Sequence, residues 1–244
     1  ICQYWRVERH HLDDDACVIG DSNDTKTLLW GDSNAAHFIG TLGAIAKNYG
    51  WSFRNIHHAA CPPLFSSIKE YVNQKLALNC QHSVETVISN LEGFETIILS
   101  ANYDSYMASN AGFLDAFIET VKALQFSGKR VILIGKAPVF HSFDRHCMSK
   151  SIVYVFKDCF AHKRTKPAEI DSVNLTLESF AAELDNVYYI SFDRLICREV
   201  CSPYFDKQPL YYDKSHIEIG ASWWLGEQAL SLGLVPQILK ELNG

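Results

Sequence analysis

The chain has 244 residues, of which 48% are apolar and 20% are charged, and it carries a formal net charge of −6. These values are ordinary for a globular protein with a full core. The acidic balance argues against a nucleic-acid partner, since phosphate binding needs a concentrated basic surface. The sequence also predicts no membrane-spanning helix, because it has no run of about 18 apolar residues.

The amino-terminal segment, residues 1–26, is polar and irregular. The sequence does not begin with Met and has no signal-peptide pattern, so we expect a piece of a longer protein whose targeting information lies upstream. We interpret residues 1–26 as a lead-in segment that packs on a single domain, residues 27–244. His10 and His11, with the acidic run at 13–15, could bind a metal. A solvated surface stretch is the preferred interpretation, and we predict no metal and no cofactor.

Eight cysteines fall into four neighbouring couples along the chain. Sequence alone does not fix their connectivity, but the spacing favours pairing within each couple: Cys2–Cys17, Cys61–Cys80, Cys147–Cys159 and Cys197–Cys201. Two alternatives stay open, namely free thiols in a cytosolic enzyme and a zinc site, which the lack of a C-x-x-C pair disfavours. Disulfides would indicate an oxidising compartment.

Apolar runs alternate with helical patterns from residue 27 onward. We predict strands at residues 27–30, 51–56, 96–100, 130–135 and 187–190, and helices at residues 34–48, 83–91, 111–126, 167–184 and 221–232. Residues 141–165 are expected to be a long irregular loop. Strands that alternate with helices predict an α/β fold whose parallel sheet is covered on both faces.

The first candidate for chemistry is Ser33, in a Gly-Asp-Ser motif between a predicted strand and a predicted helix. Glycine permits a sharp turn out of the sheet, and Ser33 then lies where unpaired N–H groups favour developing negative charge. A serine there could attack a carbonyl carbon while its own N–H helps to hold the oxyanion. Taken alone, the motif favours a simpler role, in which Asp32 or Ser33 caps the helix.

The second candidate is the pair Asp213 and His216, near the carboxyl end of the chain. A spacing of three lets the carboxylate accept a hydrogen bond from one imidazole nitrogen, which leaves the other nitrogen to deprotonate a serine. The alternative is an exposed aspartate and a capping histidine before the last helix. The spacing alone does not decide between these interpretations.

The third candidate is Asn102, which follows the predicted strand at 96–100 and could donate a hydrogen bond to an oxyanion. For this residue alone, a turn is the simpler interpretation. All three candidates would lie at the carboxyl edge of one parallel sheet, where open α/β sheets place their ligands. Their coincidence at that edge favours a catalytic site.

Together these motifs resemble the SGNH, or GDSL, hydrolase family over about residues 27–232. The resemblance implies a flavodoxin-like three-layer αβα sandwich with a parallel sheet of about five strands. It implies Ser33 as nucleophile and Asp213 and His216 as its triad partners. It also implies an oxyanion hole formed by Asn102 and the backbone N–H of Ser33.

Residues 29–37, 60–64 and 209–216 narrow the resemblance to one subgroup. They are similar to the extracytoplasmic SGNH domains fused to membrane acyltransferase-3 proteins, which transfer acyl groups, usually acetyl, onto bacterial surface polysaccharides such as lipopolysaccharide or peptidoglycan. The resemblance implies a polysaccharide acceptor, an acyl donor and an upstream membrane acyltransferase domain as partners. It also implies a periplasmic location, tethered to the inner membrane, which suits the cysteine couples.

The sequence departs from the family pattern in two blocks. Where the family has Gly-x-Asn-Asp, residues 100–103 read Ser-Ala-Asn-Tyr, so the first glycine is absent. A glycine expected after the second strand, as a further oxyanion donor, is replaced by Ala59-Ala60. We assign that backbone donor to Ala60.

We therefore predict a serine-dependent O-acyltransferase acting on a polysaccharide. If water instead of a sugar hydroxyl takes the acyl group, the same site is a carbohydrate O-acetyl esterase. A non-catalytic glycan-binding or docking domain is a rival, since aromatic residues such as Trp30 and Trp51 could stack on sugars, although core packing explains most of them. A phosphate-binding flavodoxin-like protein is a weaker rival, because its loop would be richer in glycine.

Overall fold

A mostly parallel β-sheet forms the centre of the protein. The structure, a computed structural model, describes residues 2–22, 24–154, 159, 172–197, 200–205 and 207–242. Its strands are β1 (Gln3–Tyr4), β2 (Val18–Ile19), β3 (Thr27–Gly31), β4 (Phe53–His58), β5 (Thr96–Ser100), β6 (Arg130–Ile134), β7 (Val187–Ile190), β8 (Tyr204–Phe205) and β9 (Gln208–Pro209). The main sheet has the order β1-β4-β3-β5-β6-β7, with β2 also paired to β4, while β8 and β9 form a separate pair.

The five longer strands run parallel in the order β4-β3-β5-β6-β7. In chain order this is the 2-1-3-4-5 arrangement of a flavodoxin-like sheet. The predicted α/β class and parallel sheet of about five strands are confirmed. β1 joins β4 in parallel and β2 joins it antiparallel.

Helices cover both faces of the sheet. They are α1 (Ser33–Ala36), α2 (Ile39–Tyr49), α3 (Gln74–Ile88), α4 (Tyr103–Ser109), α5 (Phe113–Phe126), α6 (Cys147–Val153), α7 (Ser172–Ala182), α8 (Asp193–Ile196), α9 (Ile219–Ser231) and α10 (Gln237–Lys240). In the described part of the chain, none of them has both the length and the apolar character needed to cross a bilayer.

The core lies in two layers because neighbouring strand residues point to opposite faces. Leu28 belongs to the layer that α3, α5 and α7 cover, whereas Leu29 belongs to the layer covered by α1, α2 and α9. α2 and α9 approach closely at Gly40, where a Cβ atom would lie 2.4 Å from the backbone nitrogen of Trp223. Burial of both faces explains why the strands read as continuous apolar runs.

The structure corrects several predicted elements. The predicted helix at 34–48 is broken between α1 and α2, at His37 and Phe38, a change that apolar spacing does not reveal because the apolar residues continue through it. The predicted helix at 83–91 begins earlier, at Gln74, where the side chain of Asn73 accepts a hydrogen bond from the N–H of Lys75. Half of the residues in the first two turns of α3 are polar and Leu78 is exposed, so the apolar spacing there is not clear.

The structure also differs from the prediction in the amino-terminal segment and in two short helices. Residues 1–26 contribute β1, β2 and two 3₁₀ turns, Arg9–Leu12 and Asp15–Cys17. α4 and α6 were not predicted, because both are only seven residues long. Of the predicted helix at 167–184, α7 is the observed part, and positions before Ser172 lie outside the described residues.

The eight cysteines pair as Cys2–Cys17, Cys61–Cys80, Cys147–Cys159 and Cys197–Cys201. This is the pairing that the spacing favours, and it leaves none of the eight as a free thiol. The first bond closes the lead-in segment, and the second ties the loop after β4 to α3.

Candidate active site

The turn from β3 into α1 places Ser33 at the carboxyl edge of the sheet. Gly31 pairs with Ser100 of β5, and a Cβ atom on Gly31 would lie 2.0 Å from the carbonyl oxygen of Ser100, so only glycine fits there. Asp32 caps α1, since its Oδ1 accepts a hydrogen bond of 2.7 Å from the N–H of Asn34. Ser33 is the first residue of that helix.

The loop before α9 brings His216 to Ser33. Nε2 of His216 lies 2.8 Å from Oγ of Ser33, and Nδ1 lies 2.8 Å from Oδ2 of Asp213. A carboxylate only accepts hydrogen bonds, so Nδ1 carries the proton and Nε2 accepts from the serine hydroxyl. This is the arrangement in which an imidazole can remove a serine proton.

Backbone contacts hold Asp213 in this position. Its Oδ1 accepts from the N–H groups of Ser215, at 2.8 Å, and of His216, at 2.9 Å. Partial burial alone would raise the pKa of Asp213, but these bonds and the side chain of His216 outweigh it and lower the pKa. Asp213 therefore remains a carboxylate at neutral pH.

Asn102 is not among the residues that line the cleft over Ser33. Its backbone N–H donates to Oδ2 of Asp32 at 2.9 Å, which connects the segment after β5 to the residue before Ser33. Oδ1 of Asn102 accepts a hydrogen bond from Nζ of Lys136. The amide nitrogen of Asn102 is thus the end turned away from Lys136.

Ala60 lines the same cleft as Ser33, Asp213 and His216. Its φ is +54°, in the left-handed region that favours glycine. An alanine therefore stands here in a backbone conformation that glycine adopts more readily. Of the predicted site residues, the structure brings Ser33, Ala60, Asp213 and His216 together around one cleft. Asn102 does not line that cleft but is hydrogen-bonded to Asp32, the residue before Ser33.

Asp32 is buried and connects three segments. Its Oδ1 accepts from the N–H of Asn34, and its Oδ2 accepts from the N–H of Asn102 and, at 2.8 Å, from the hydroxyl of Tyr106 in α4. Burial raises the pKa of Asp32, and the bonds from Asn102, Asn34 and Tyr106 oppose that rise. The network fixes the turn that carries Ser33 relative to the end of β5.

Sequence reasoning missed Lys136, which lies two residues after the end of β6 and is only 3% exposed. Its ammonium group donates to Oδ1 of Asn34 at 3.2 Å as well as to Oδ1 of Asn102. The side chain of Asn174 accepts a hydrogen bond of 2.7 Å from the backbone N–H of Lys136 and donates one of 3.0 Å to the carbonyl oxygen of Lys136. A lone lysine after an apolar strand, at the edge predicted to hold the site, was the signal available in the sequence.

A second residue missed is His37, whose ring centroid lies 6.4 Å from that of His216. Burial lowers the pKa of His37 well below its ordinary value, and the nearby His216 lowers it further. His37 therefore stays neutral beside the candidate base. A neutral neighbour does not repel the positive charge that His216 acquires when it takes a proton.

The cleft over Ser33 has a volume of about 520 Å³, within the usual range for small-molecule sites. A different cleft, of about 460 Å³, lies at the amino ends of β3, β5 and β6. The residues that line it include Lys26, Glu95 and Arg130, and none of those described there pairs a nucleophile with a base. The carboxyl edge is therefore the candidate site.

One group of side chains has the spacing of a metal site among the described residues: His58, Cys61 and Cys80. Cys61 and Cys80 form a disulfide with each other, so neither can supply a thiolate. A single histidine then remains, which is too few donors for a structural zinc ion.

Comparisons with known proteins identify the family and the fold. The family described as the SGNH domain fused to AT3 domains matches residues 1–230. No curated protein matches the sequence.

Two solved structures share the fold. The periplasmic domain of a lipopolysaccharide acetyltransferase from Salmonella ser. Paratyphi A superposes with a TM-score of 0.64 at 16% identity, over 96% of this chain and 92% of that one. A putative acylhydrolase from Bacteroides fragilis superposes with a TM-score of 0.52 at 13% identity, over 95% and 96% of the two chains. At such identities the likeness concerns the fold, whereas the family match spans most of the sequence. The chain belongs to the family of SGNH domains that occur fused to AT3 domains.

Proposed function

We propose that this domain is a serine-dependent O-acyltransferase that moves an acyl group, acetyl in particular, onto a bacterial cell-surface polysaccharide. The observation that carries the proposal is the continuous hydrogen-bonded chain from Asp213 through His216 to Ser33, with a 2.8 Å contact at the serine. This chain ends in an open cleft that can admit both an acyl donor and an acceptor. Acyl transfer by a serine needs this combination.

In the first step Oγ of Ser33 attacks the carbonyl carbon of the donor while Nε2 of His216 takes the hydroxyl proton. The bond between that carbon and the leaving group then breaks, and the leaving group takes the proton from His216. The oxyanion is held by the backbone N–H groups of Ser33 and Ala60 and by the amide of Asn102. Asp213 stabilises the imidazolium that forms between these events.

In the second step a sugar hydroxyl replaces the leaving group. Its proton passes to Nε2 of His216, its oxygen bonds to the acyl carbon, and the bond from that carbon to Oγ of Ser33 breaks. The proton then returns from His216 to Ser33. If water enters in place of the sugar, the same events give a carbohydrate O-acetyl esterase, so acceptor binding decides the outcome.

The family and the disulfides support a periplasmic setting for this reaction. SGNH domains of this family occur fused to AT3 domains, and four disulfides suit an oxidising compartment. We propose an upstream membrane acyltransferase domain in the full-length protein, which tethers this domain to the inner membrane and supplies the acyl group. Residues 27–244 form the catalytic domain, and residues 1–26 are its lead-in segment.

The test is intact-protein mass spectrometry after exposure to an aryl acetate, with rapid measurement of the released phenol. We expect a burst of phenol and the mass of one acetyl group on Ser33, both abolished in S33A. A burst that S33A retains would refute the assignment of the nucleophile. Adding candidate glycans to the acetylated protein separates transfer from hydrolysis, because only transfer gives an acetylated sugar.

A further inference from the structure

Two large aromatic side chains line the cleft over Ser33 although they are mostly exposed to solvent. Trp5 is 65% exposed and Tyr212 is 54% exposed. Most large aromatic residues of this chain are packed in the two core layers. Exposed aromatic side chains that border a cleft usually mark a binding site, because they gain by covering apolar surface of a ligand.

The lead-in segment holds Trp5 at the cleft. β1 pairs with the carboxyl end of β4, and Tyr4 stands opposite His58. The carbonyl oxygen of Tyr4 accepts a hydrogen bond of 3.1 Å from the N–H of Ala59, next to Ala60. Trp5, the following residue, is therefore fixed beside the loop that carries the proposed oxyanion donor.

Tyr212 comes from the other end of the chain, directly before Asp213. Its backbone N–H donates to the carbonyl oxygen of His216 at 2.9 Å, which closes the loop of the candidate triad. The guanidinium group of Arg145 lies 4.3 Å from the centroid of the Tyr212 ring, a cation–π contact that restrains the ring. Tyr212 is thus held at the cleft without being buried.

The charges at the cleft select the class of ligand. Its lining residues include the carboxylates of Asp213 and Glu218 and the histidines His37 and His216, with no lysine or arginine among the described residues that line it. These acids would repel phosphate or carboxylate groups, and the nearby guanidinium of Arg145 packs on the Tyr212 ring and does not line the cleft. An uncharged ring with apolar C–H faces and hydroxyl edges fits aromatic walls and an acidic rim.

We infer that Trp5 and Tyr212 form the acceptor site, where they stack on an uncharged sugar ring and hold one of its hydroxyl groups beside Ser33. This inference rests on the proposed function and names its acceptor. The lead-in segment is then part of the acceptor site, because it supplies one of the two aromatic surfaces.

The test measures sugar binding separately from acyl chemistry. S33A is titrated calorimetrically with uncharged trisaccharides of glucose, galactose and mannose, and with the 6-phosphates of the parent sugars. We expect an uncharged trisaccharide to bind, and the W5A and Y212A substitutions to weaken that binding by about three- to tenfold, the usual value of an aromatic contact. W5F and Y212F keep a ring and should retain most of the affinity.

F126A is the matched control, since Phe126 is 93% exposed and does not line the cleft. The inference is overturned if no uncharged sugar binds, if W5A and Y212A bind it as F126A does, or if a sugar phosphate binds better. Failure of the proposed function looks different, because the protein would then show no acetylation that depends on Ser33 whatever sugar it binds. Acetylation of Ser33 with unchanged sugar binding in W5A and Y212A would leave that function standing and end this inference.

Discussion

The ammonium group of Lys136 donates a hydrogen bond to the side-chain oxygen of Asn102. An ammonium group can only donate, so this contact determines that the amide turns its oxygen toward Lys136 and its nitrogen away. Lys136 also donates to the side-chain oxygen of Asn34, in the turn that begins at Ser33. One buried cation therefore connects the proposed oxyanion donor with the segment that carries the proposed nucleophile.

We expect K136M to lower kcat for aryl acetate hydrolysis by roughly tenfold or more, with a smaller change in KM. Without its partner the Asn102 amide can rotate, and losing one oxyanion donor typically costs about 10²–10³ in kcat. Two amide oxygens would also lose a donor, at about 1–3 kcal/mol each if they stay buried. Urea unfolding must therefore accompany the kinetics.

A double-mutant cycle separates positioning from general destabilisation. If Lys136 acts through Asn102, K136M should cost little further kcat in an N102A background. If K136M lowered kcat by the same factor in the wild-type and N102A backgrounds, this positioning role would be contradicted. K122M is a suitable control, because Lys122 is an exposed lysine of α5 that pairs with Glu119 and takes no part in the hydrogen bonds around Asn102.

The backbone of Ala60 lies in the left-handed region that glycine adopts readily, with φ at +54°. The left-handed conformation costs an L-residue about 1–2 kcal/mol, while glycine lowers stability through the unfolded chain by about 0.4–1 kcal/mol. We expect A60G to keep the free energy of unfolding within about 1 kcal/mol of wild type, and to keep kcat. A60V should lower both, since a β-branched residue tolerates this region poorly.

The neighbouring position provides a matched control for A60G. Ala59 lies in the same loop but is not among the residues with positive φ. A59G gains no relief of strain and should lose stability by about 0.5–1 kcal/mol. Equal losses in A59G and A60G, measured by urea unfolding, would show that the backbone at Ala60 carries no strain.

The sequence predicts the parts of this molecule whose signals are local. The strand before Gly31 and the strand before Asn102 are continuous apolar runs, and their ends place Ser33 and Asn102 at one edge of the sheet. The pairing of Asp213 with His216 depends on a spacing of three within a single loop. Such features need no knowledge of distant packing.

Other parts depend on contacts between distant segments and leave no local pattern. β1 is two residues long and exists because β4 offers an open edge, so Trp5 could not be placed at the cleft from its own neighbours. Lys136 has its role only because Asn34 and Asn102 converge on it from two other strand ends. The break between α1 and α2 is hidden because its apolar pattern is uninterrupted.

His57 should make the protein sensitive to acid. It is fully buried in β4, neither ring nitrogen has a hydrogen-bond partner among the described residues, and burial lowers its pKa to about 3. Histidine in the unfolded chain has a pKa near 6.5, so the unfolded chain binds the proton first. Stability is therefore complete above about pH 6.5 and falls as the pH drops toward about 3, by up to about 1.4 kcal/mol per unit.

H57M tests this linkage, because methionine adapts to irregular buried space and does not titrate. Urea unfolding at several pH values between about 6 and 4.5 should show a slope smaller by about one proton in H57M than in wild type. At about pH 8 the same comparison reports packing alone, since His57 is neutral in both the folded and the unfolded chain there. An unchanged slope would mean that His57 does not contribute to acid unfolding.

The Cys61–Cys80 disulfide should matter both for stability and for the site. It spans 19 residues, and Cys61 directly follows Ala60, whereas Cys197–Cys201 spans only four residues. Both pairs are buried, so removing their sulfur atoms leaves similar cavities. In the chain-entropy model a loop of about 15 residues contributes about 3 kcal/mol and a shorter loop contributes less.

We therefore expect C61A/C80A to lose about 1 kcal/mol more unfolding free energy than C197A/C201A. We also expect only C61A/C80A to lower kcat, because its loop positions the Ala60 N–H. Equal kcat values in the two double variants would show that the loop after β4 keeps its conformation without the bond to α3.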